Sequence, residues 1–285
     1  MRLLVVIGAG YGNTIFTTPL IRALHELGHW VDVLFDGEYP DLDLIFKNTN
    51  YAVCIASKPE DLPIPTSSYD AVLNTLWAKN NHNNSCQLFS SIKHERVYHE
   101  AMINYDMATQ LGHLGPMPSA FFADVEWANC EDYIAISIPI QKSLNWERKS
   151  YPNWLELIKL LGENVLLLGT KEEVALWEGY CNTLATNNVY EYAHCVAKAK
   201  CFIGTDNGPS HIASVIGCPS VIIYGGTGIA KNLPLGPRSV AVITDTCTPC
   251  QYTNNWNTCQ TPGRCMDISP QTIMAYVKEV LDESL

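Results

Sequence analysis

The feature that most constrains the fold is a unit occurring in both halves of the chain: an aliphatic run, a glycine-containing turn, then apolar residues at helical spacing. Leu3 to Ile7 is such a run. Gly8-Ala9-Gly10-Tyr11-Gly12 follows it, then Leu20, Ile21, Leu24 and Leu27, with Gly28 closing the segment. Strand, turn and helix in that order open a parallel α/β unit. Val31–Phe35 (ending at Asp36-Gly37), Tyr51–Ala56 and Tyr69–Leu73 read as further strands, Lys79–Asn84 as a polar loop and Tyr105–Leu111 as helical. After a passage around Ala123–Glu131 the series restarts. Tyr133–Ile138, Val165–Leu168, Cys201–Gly204 and Ser220–Tyr224 read as strands, Pro152–Leu161 and Pro209–Ile216 as helices.

The expected architecture is therefore two parallel-sheet α/β domains, residues 1–126 and 127–269, with a ligand cleft between them. A last helix opens at Ser269-Pro270 and carries Ile273, Tyr276, Val277, Val280 and Leu281 on one face. The helix, 270–285, is expected to pack back on the N-terminal domain.

The 285 residues are 47% apolar and 16% charged, ample for buried cores and unlike a disordered chain. Eighteen Lys+Arg against 29 Asp+Glu give a net charge of −11, which disfavours a broad nucleic-acid face but leaves room for a small pocket for one phosphate group. No apolar stretch of about 18 residues is present, so no spanning helix is expected. Met1–Ile7 runs straight into Gly8 and reads as a first buried strand, not a secretory leader. Of the eleven cysteines, seven are scattered singly through the chain, as reduced thiols are in a cytoplasmic protein.

The other four form Cys247-x2-Cys250-x8-Cys259-x5-Cys265, in a loop rich in Gly, Pro and Asn. Four thiolates at that spacing suit a tetrahedral structural zinc with no open position, ahead of two disulfides or four free thiols. A second feature is Gly204-Thr205-Asp206-Asn207-Gly208-Pro209-Ser210-His211. There a buried strand gives way to small polar residues and a helix start, an arrangement that suits a diphosphate. It suits equally an ordinary cap by Asp206 or Asn207, with His211 a packed helix residue.

Asp206-Asn207-Gly208-Pro209-Ser210-His211-Ile212-Ala213, then Gly217-Cys218-Pro219-Ser220-Val221 and Tyr224-Gly225-Gly226-Thr227, resemble the signature of the heptosyltransferase-like glycosyltransferases, family 9. Gly12-Asn13-Thr14 through Thr17-Thr18-Pro19 to Leu24 is similar to the family's opening motif. Lys149-Ser150-Tyr151-Pro152 is similar to its K-x-W-P, and Cys265-Met266-Asp267-Ile268-Ser269-Pro270 to its terminal motif. The resemblance spans nearly the whole chain. It implies the GT-B fold, two Rossmann-like domains with sheets facing across a cleft and the donor held mainly by the C-terminal one.

It also implies roles by position. Lys149 would face the donor diphosphate in place of a catalytic metal. Asn207 and Gly208 would cradle the phosphates, and Asp206 would contact the transferred sugar or orient the diphosphate. Glu172 or Glu173 would hold the ribose hydroxyls. His211, Gly225, Gly226 and Thr227 would complete the donor site.

One departure matters. The family's Asp, the expected base on the acceptor hydroxyl, is Asn13 here, which cannot take a proton. Asp36, His99 and Glu100 are the substitutes, and Asn13 can still position a hydroxyl. The expected activity is sugar transfer from a nucleoside-diphosphate donor, ADP-heptose by family default, to a glycan or glycolipid such as lipopolysaccharide core. It would need no catalytic cofactor and would occur in the cytoplasm, with peripheral membrane contact compatible. The rival readings are a sugar-nucleotide-binding protein, a sugar-nucleotide epimerase, and a transferase acting on a modified DNA base.

Overall fold

A computed structural model of the chain describes residues 1–282 apart from 9, 38, 80–86, 91–97, 126–130, 141–147 and 252. Beyond Lys79, the expected polar loop lies outside the described residues. The chain divides into Met1–Asp124 and Val125–Leu285, against an expected boundary of 126/127.

In the first unit, β1 (Arg2–Gly8), β2 (Trp30–Asp36), β3 (Cys54–Ala56), β4 (Ala71–Asn74) and β5 (Gln87–Ser90) form one parallel sheet in the order β3-β2-β1-β4-β5. Leu3 to Ile7 are fully buried, as a central parallel strand requires. Gly8 is forced by close approach, since a Cβ there would stand 2.5 Å from the Trp77 carbonyl oxygen.

Helix α1 (Tyr11–Glu26) starts directly after Gly10, whose φ of 117° favours glycine. It takes in Thr14–Pro19, which propensity alone would not make helical. Hydroxyls make the difference. Thr14 Oγ1 donates to Gly10 O at 3.0 Å and Thr17 Oγ1 to Asn13 O at 2.8 Å. Thr18 Oγ1 donates at 2.8 Å to Ile15 O, the carbonyl that Pro19 has no N–H to satisfy. Helix α2 spans Glu100–Gln110.

In the second unit, β6 (Glu131–Ile136), β7 (Val165–Gly169), β8 (Asn182–Ala185), β9 (Ala199–Thr205), β10 (Ser220–Ile223) and β11 (Ser239–Val242) form a parallel sheet in the order β11-β10-β9-β6-β7-β8. Its helices are α3 (Trp154–Leu161), α4 (Lys171–Ala175), α5 (Val189–Lys198), α6 (Gly208–Val215), α7 (Ile229–Asn232), α8 (Asn254–Thr258) and α9 (Pro270–Asp282).

Helix α9 corrects an expectation. Ile273, Val277 and Val280 lie in one core with Leu157 of α3, Cys201 and Ile203 of β9, and Val221 and Ile223 of β10, while Tyr276 and Leu281 flank it. The apolar face is the expected one, but its partner is the C-terminal sheet, not the N-terminal domain. The reason is local: Ser269 caps α9 through Thr272 N–H at 3.1 Å, directly after Met266 and Ile268, which are already buried in that core. Among the described residues, no helix is long and apolar enough to cross a membrane.

Candidate functional site

In the second sheet the strand order reverses between β6 and β9, and the carboxyl ends of strands at such a point open a crevice. Asp206 follows the last residue of β9. Its carboxylate meets Lys149 Nζ at 2.8 Å and His211 Nε2 at 3.3 Å, and Lys149 also donates to the Asp206 carbonyl at 3.2 Å. Asp206 is 2% exposed, His211 3% and Lys149 8%, so the charges face each other in a low-dielectric setting. Burial alone would raise the Asp206 pKa. The Lys149 charge and the hydrogen bond from His211 outweigh it and hold the carboxyl well below the usual range.

Asn207 takes the cap: its Oδ1 accepts Ser210 N–H at 3.2 Å while its Nδ2 donates to Thr205 Oγ1 at 3.1 Å. Gly208 and Pro209 then open α6. The structure also separates the two ribose candidates. Glu173 Oε2 accepts Thr170 N–H at 2.9 Å in a capping box, and its Oε1 accepts Ile140 N–H at 3.2 Å. Glu172 is exposed on the first turn of α4.

Gly225 and Gly226, expected to serve a donor, are where the cysteine-rich segment lies down. A Cβ on Gly225 would stand 2.3 Å from Met266 Sδ, and one on Gly226 2.6 Å from the Trp256 ring. The Gly226 carbonyl accepts both Cys250 N–H at 2.9 Å and Gln251 N–H at 2.8 Å. Thr227, next in the chain, is fully buried. The Tyr151 hydroxyl donates at 2.8 Å to the carbonyl of Ile268, and burial pushes its pKa up to about 12. Thus the Lys149–Trp154 motif and the Cys265–Pro270 motif hold one another.

Cys247, Cys250, Cys259 and Cys265 are free, half-buried thiols. Among the described residues, no three His, Cys, Asp or Glu side chains are grouped to hold a metal. Cys250 and Cys265 nevertheless lie within electrostatic reach of the other cysteines of the set, which adds to the effect of burial in raising both pKa values. Arg148, which no motif singles out, stands with its guanidinium 5.4 Å from the Trp256 ring centroid. Only its place beside Lys149 could have drawn attention to it.

The first unit holds the substitutes for the missing Asp. Asn13 lies in the first turn of α1, its carbonyl accepting from Thr17. Buried Asp36 accepts the Lys79 N–H, and Glu100, also buried, accepts from Trp77 Nε1 at 2.9 Å. His99 Nδ1 accepts Ala101 N–H at 3.1 Å as the cap of α2.

Residues 128–260 match the model of glycosyltransferase family 9 (heptosyltransferase). That stretch, somewhat under half of the chain, is what is similar to family 9. The stretch includes Lys149, Asp206, the Gly225–Thr227 turn and all but the last of the four clustered cysteines.

Solved structures extend the likeness in fold to the whole chain. A glycosyltransferase family 9 protein from Veillonella parvula is 13% identical, with 99% of this chain and 97% of that one covered and a TM-score of 0.74. Escherichia coli ADP-heptose lps heptosyltransferase II is 15% identical, with coverage of 100% and 99% and a TM-score of 0.70. The dodecameric iron-containing heptosyltransferase TibC, from E. coli and solved in complex with ADP-D-beta-D-heptose, is 13% identical over 100% and 77%, with a TM-score of 0.69. At these identities the likeness establishes the GT-B fold. No curated protein matches the chain.

Proposed function

We propose that this protein transfers a sugar from a nucleoside-diphosphate donor to a hydroxyl of a glycan or glycolipid. The buried Lys149–Asp206 pair, at the carboxyl end of β9 within the stretch that matches the family 9 model, carries the reading. Lys149 takes the charge that develops on the departing diphosphate, so that no catalytic metal is needed there, and the N–H groups at Asn207–Gly208 add to it. Asp206 orients that ammonium and contacts the transferred sugar. Glu172, whose neighbour Glu173 is engaged in its capping box, accepts from the ribose hydroxyls. ADP-heptose is the donor that the names of the similar structures favour, with lipopolysaccharide core as the matching acceptor.

In the first unit, Asn13 positions the acceptor hydroxyl and Asp36 is the base. The free thiols agree with a reducing, cytoplasmic location. Cys247, Cys250, Cys259 and Cys265 would hold a structural metal. Their spacing in the sequence supports this, and TibC is iron-containing by its name.

Incubation with ADP-, UDP-, GDP- and CMP-sugars tests the proposal. Slow hydrolysis of one donor is expected. Formation of a 2-epimer, or tight binding with no turnover, would overturn it in favour of an epimerase or a binding protein.

A further inference from the structure

The Arg148 guanidinium that stands over Trp256 has its Nη1 buried, with no hydrogen-bond partner among the described residues. A second buried polar atom is in the same condition: Thr227 Oγ1, on a residue that is 0% exposed. Trp256 connects the two, for its ring fills the space a Gly226 side chain would need, and Thr227 is the next residue. Arg148 itself precedes Lys149.

An unused buried guanidinium N–H is a donor withdrawn from water, and native proteins rarely leave one so. Stacking on an indole fixes the plane of the guanidinium and so aims its fork of donors. Charge balance points the same way. The ammonium of Lys149 faces the Asp206 carboxylate at 2.8 Å, so part of its charge is compensated before a dianion arrives. Arg148 has no carboxylate partner among the described residues, so its charge is not compensated in that way.

We infer that Arg148 is a further donor-binding residue, its guanidinium donating to a phosphate oxygen of the nucleoside diphosphate while Thr227 Oγ1 donates beside it. The inference rests on the donor reading above and adds to it a cation outside the recognised motif. It also gives the cysteine-rich segment a part in binding, because that segment supplies the indole on which Arg148 lies.

The test is calorimetric titration of the full chain with ADP, UDP and GDP, and with the corresponding nucleosides, for the wild type, Arg148→Gln and Arg148→Lys. For whichever diphosphate the wild type binds, Arg148→Gln should weaken binding about tenfold or more, the weight of one charge-assisted hydrogen bond, and leave nucleoside affinity unchanged. Trp256 fluorescence should respond to the diphosphate in the wild type and not in Arg148→Gln. Arg148→Lys, which keeps the charge and loses the fork, should fall between; it decides the matter if circular dichroism shows the glutamine variant unfolded. A loss under about threefold in the folded variants overturns the inference, and a wild type that binds none of the three diphosphates removes the donor reading together with it.

Discussion

Lys149 Nζ and Asp206 Oδ2 meet at 2.8 Å from positions 57 residues apart in the chain, with 8% and 2% of the two residues exposed. A pair so buried is fragile to the loss of one member. Lys149→Met should cost about 3–5 kcal/mol by stranding a carboxylate, and Lys149→Met/Asp206→Asn should recover much of that. Urea unfolding of the three proteins at neutral pH checks both. The pH dependence follows in sign. A carboxyl held below its ordinary value contributes stability that is fully present above the ordinary range, near pH 4, and is lost progressively as pH falls below it. The wild type should therefore lose more stability than Asp206→Asn as pH is lowered from 5 to 3.

Thr18 and Pro19 act as a unit. The Thr18 hydroxyl satisfies Ile15 O and accepts Phe121 N–H at 3.0 Å, all within the core of the first unit. Thr18→Val should cost about 1–3 kcal/mol by leaving both groups unmet. Adding Pro19→Ala, which restores an N–H for Ile15 O, should cost less in the Thr18→Val background than in the wild type. Equal effects in the two backgrounds would disprove the pairing.

Gly226 has no room for a methyl group. Gly226→Ala should displace the Trp256 ring and cost about 1–3 kcal/mol, with a red-shifted indole emission. Gly225→Ala meets the thioether of Met266 instead, a flexible side chain, and should be milder.

The sequence exposed some of this plainly. Leu3–Ile7 and Ser220–Tyr224 read as strands because a strand covered on both faces is an unbroken apolar run. β8 is an edge strand with Asn182 and Leu184 exposed, and it carries no such run, so it passed unread. Helix α5 has the right periodicity at Val189, Tyr192, Ala193, Val196 and Ala197, but its other positions are mixed enough to hide it. The apolar face of α9 was legible and its partner was not, since periodicity names a face and says nothing of what covers it. Lys149 and Asp206 were each legible from a local motif. Their ion pair, and the bond from Tyr151 to Ile268, exist only once the sheet has brought distant segments together.

The four clustered cysteines make a separate claim. Protein purified without a polyhistidine tag should carry about one zinc or iron per chain, and chelation or Cys250→Ser should lower the melting temperature. Trp256 and Met266 anchor the segment in the C-terminal unit, so the Lys149–Asp206 pair should persist after metal removal. A metal content near zero would contradict the metal site, and destabilisation by reductant would assign disulfides in its place.

Calorimetric titration of ADP, UDP and GDP into the wild type and into Lys149→Met/Asp206→Asn, with circular dichroism to confirm that the variant is folded, bears most directly on the assignment of the donor site. The wild type should bind at least one of them, and the double variant should bind it about 1–3 kcal/mol more weakly, the loss of a charge-assisted hydrogen bond to phosphate. Equal affinity in the two proteins would show that the diphosphate does not sit at Lys149.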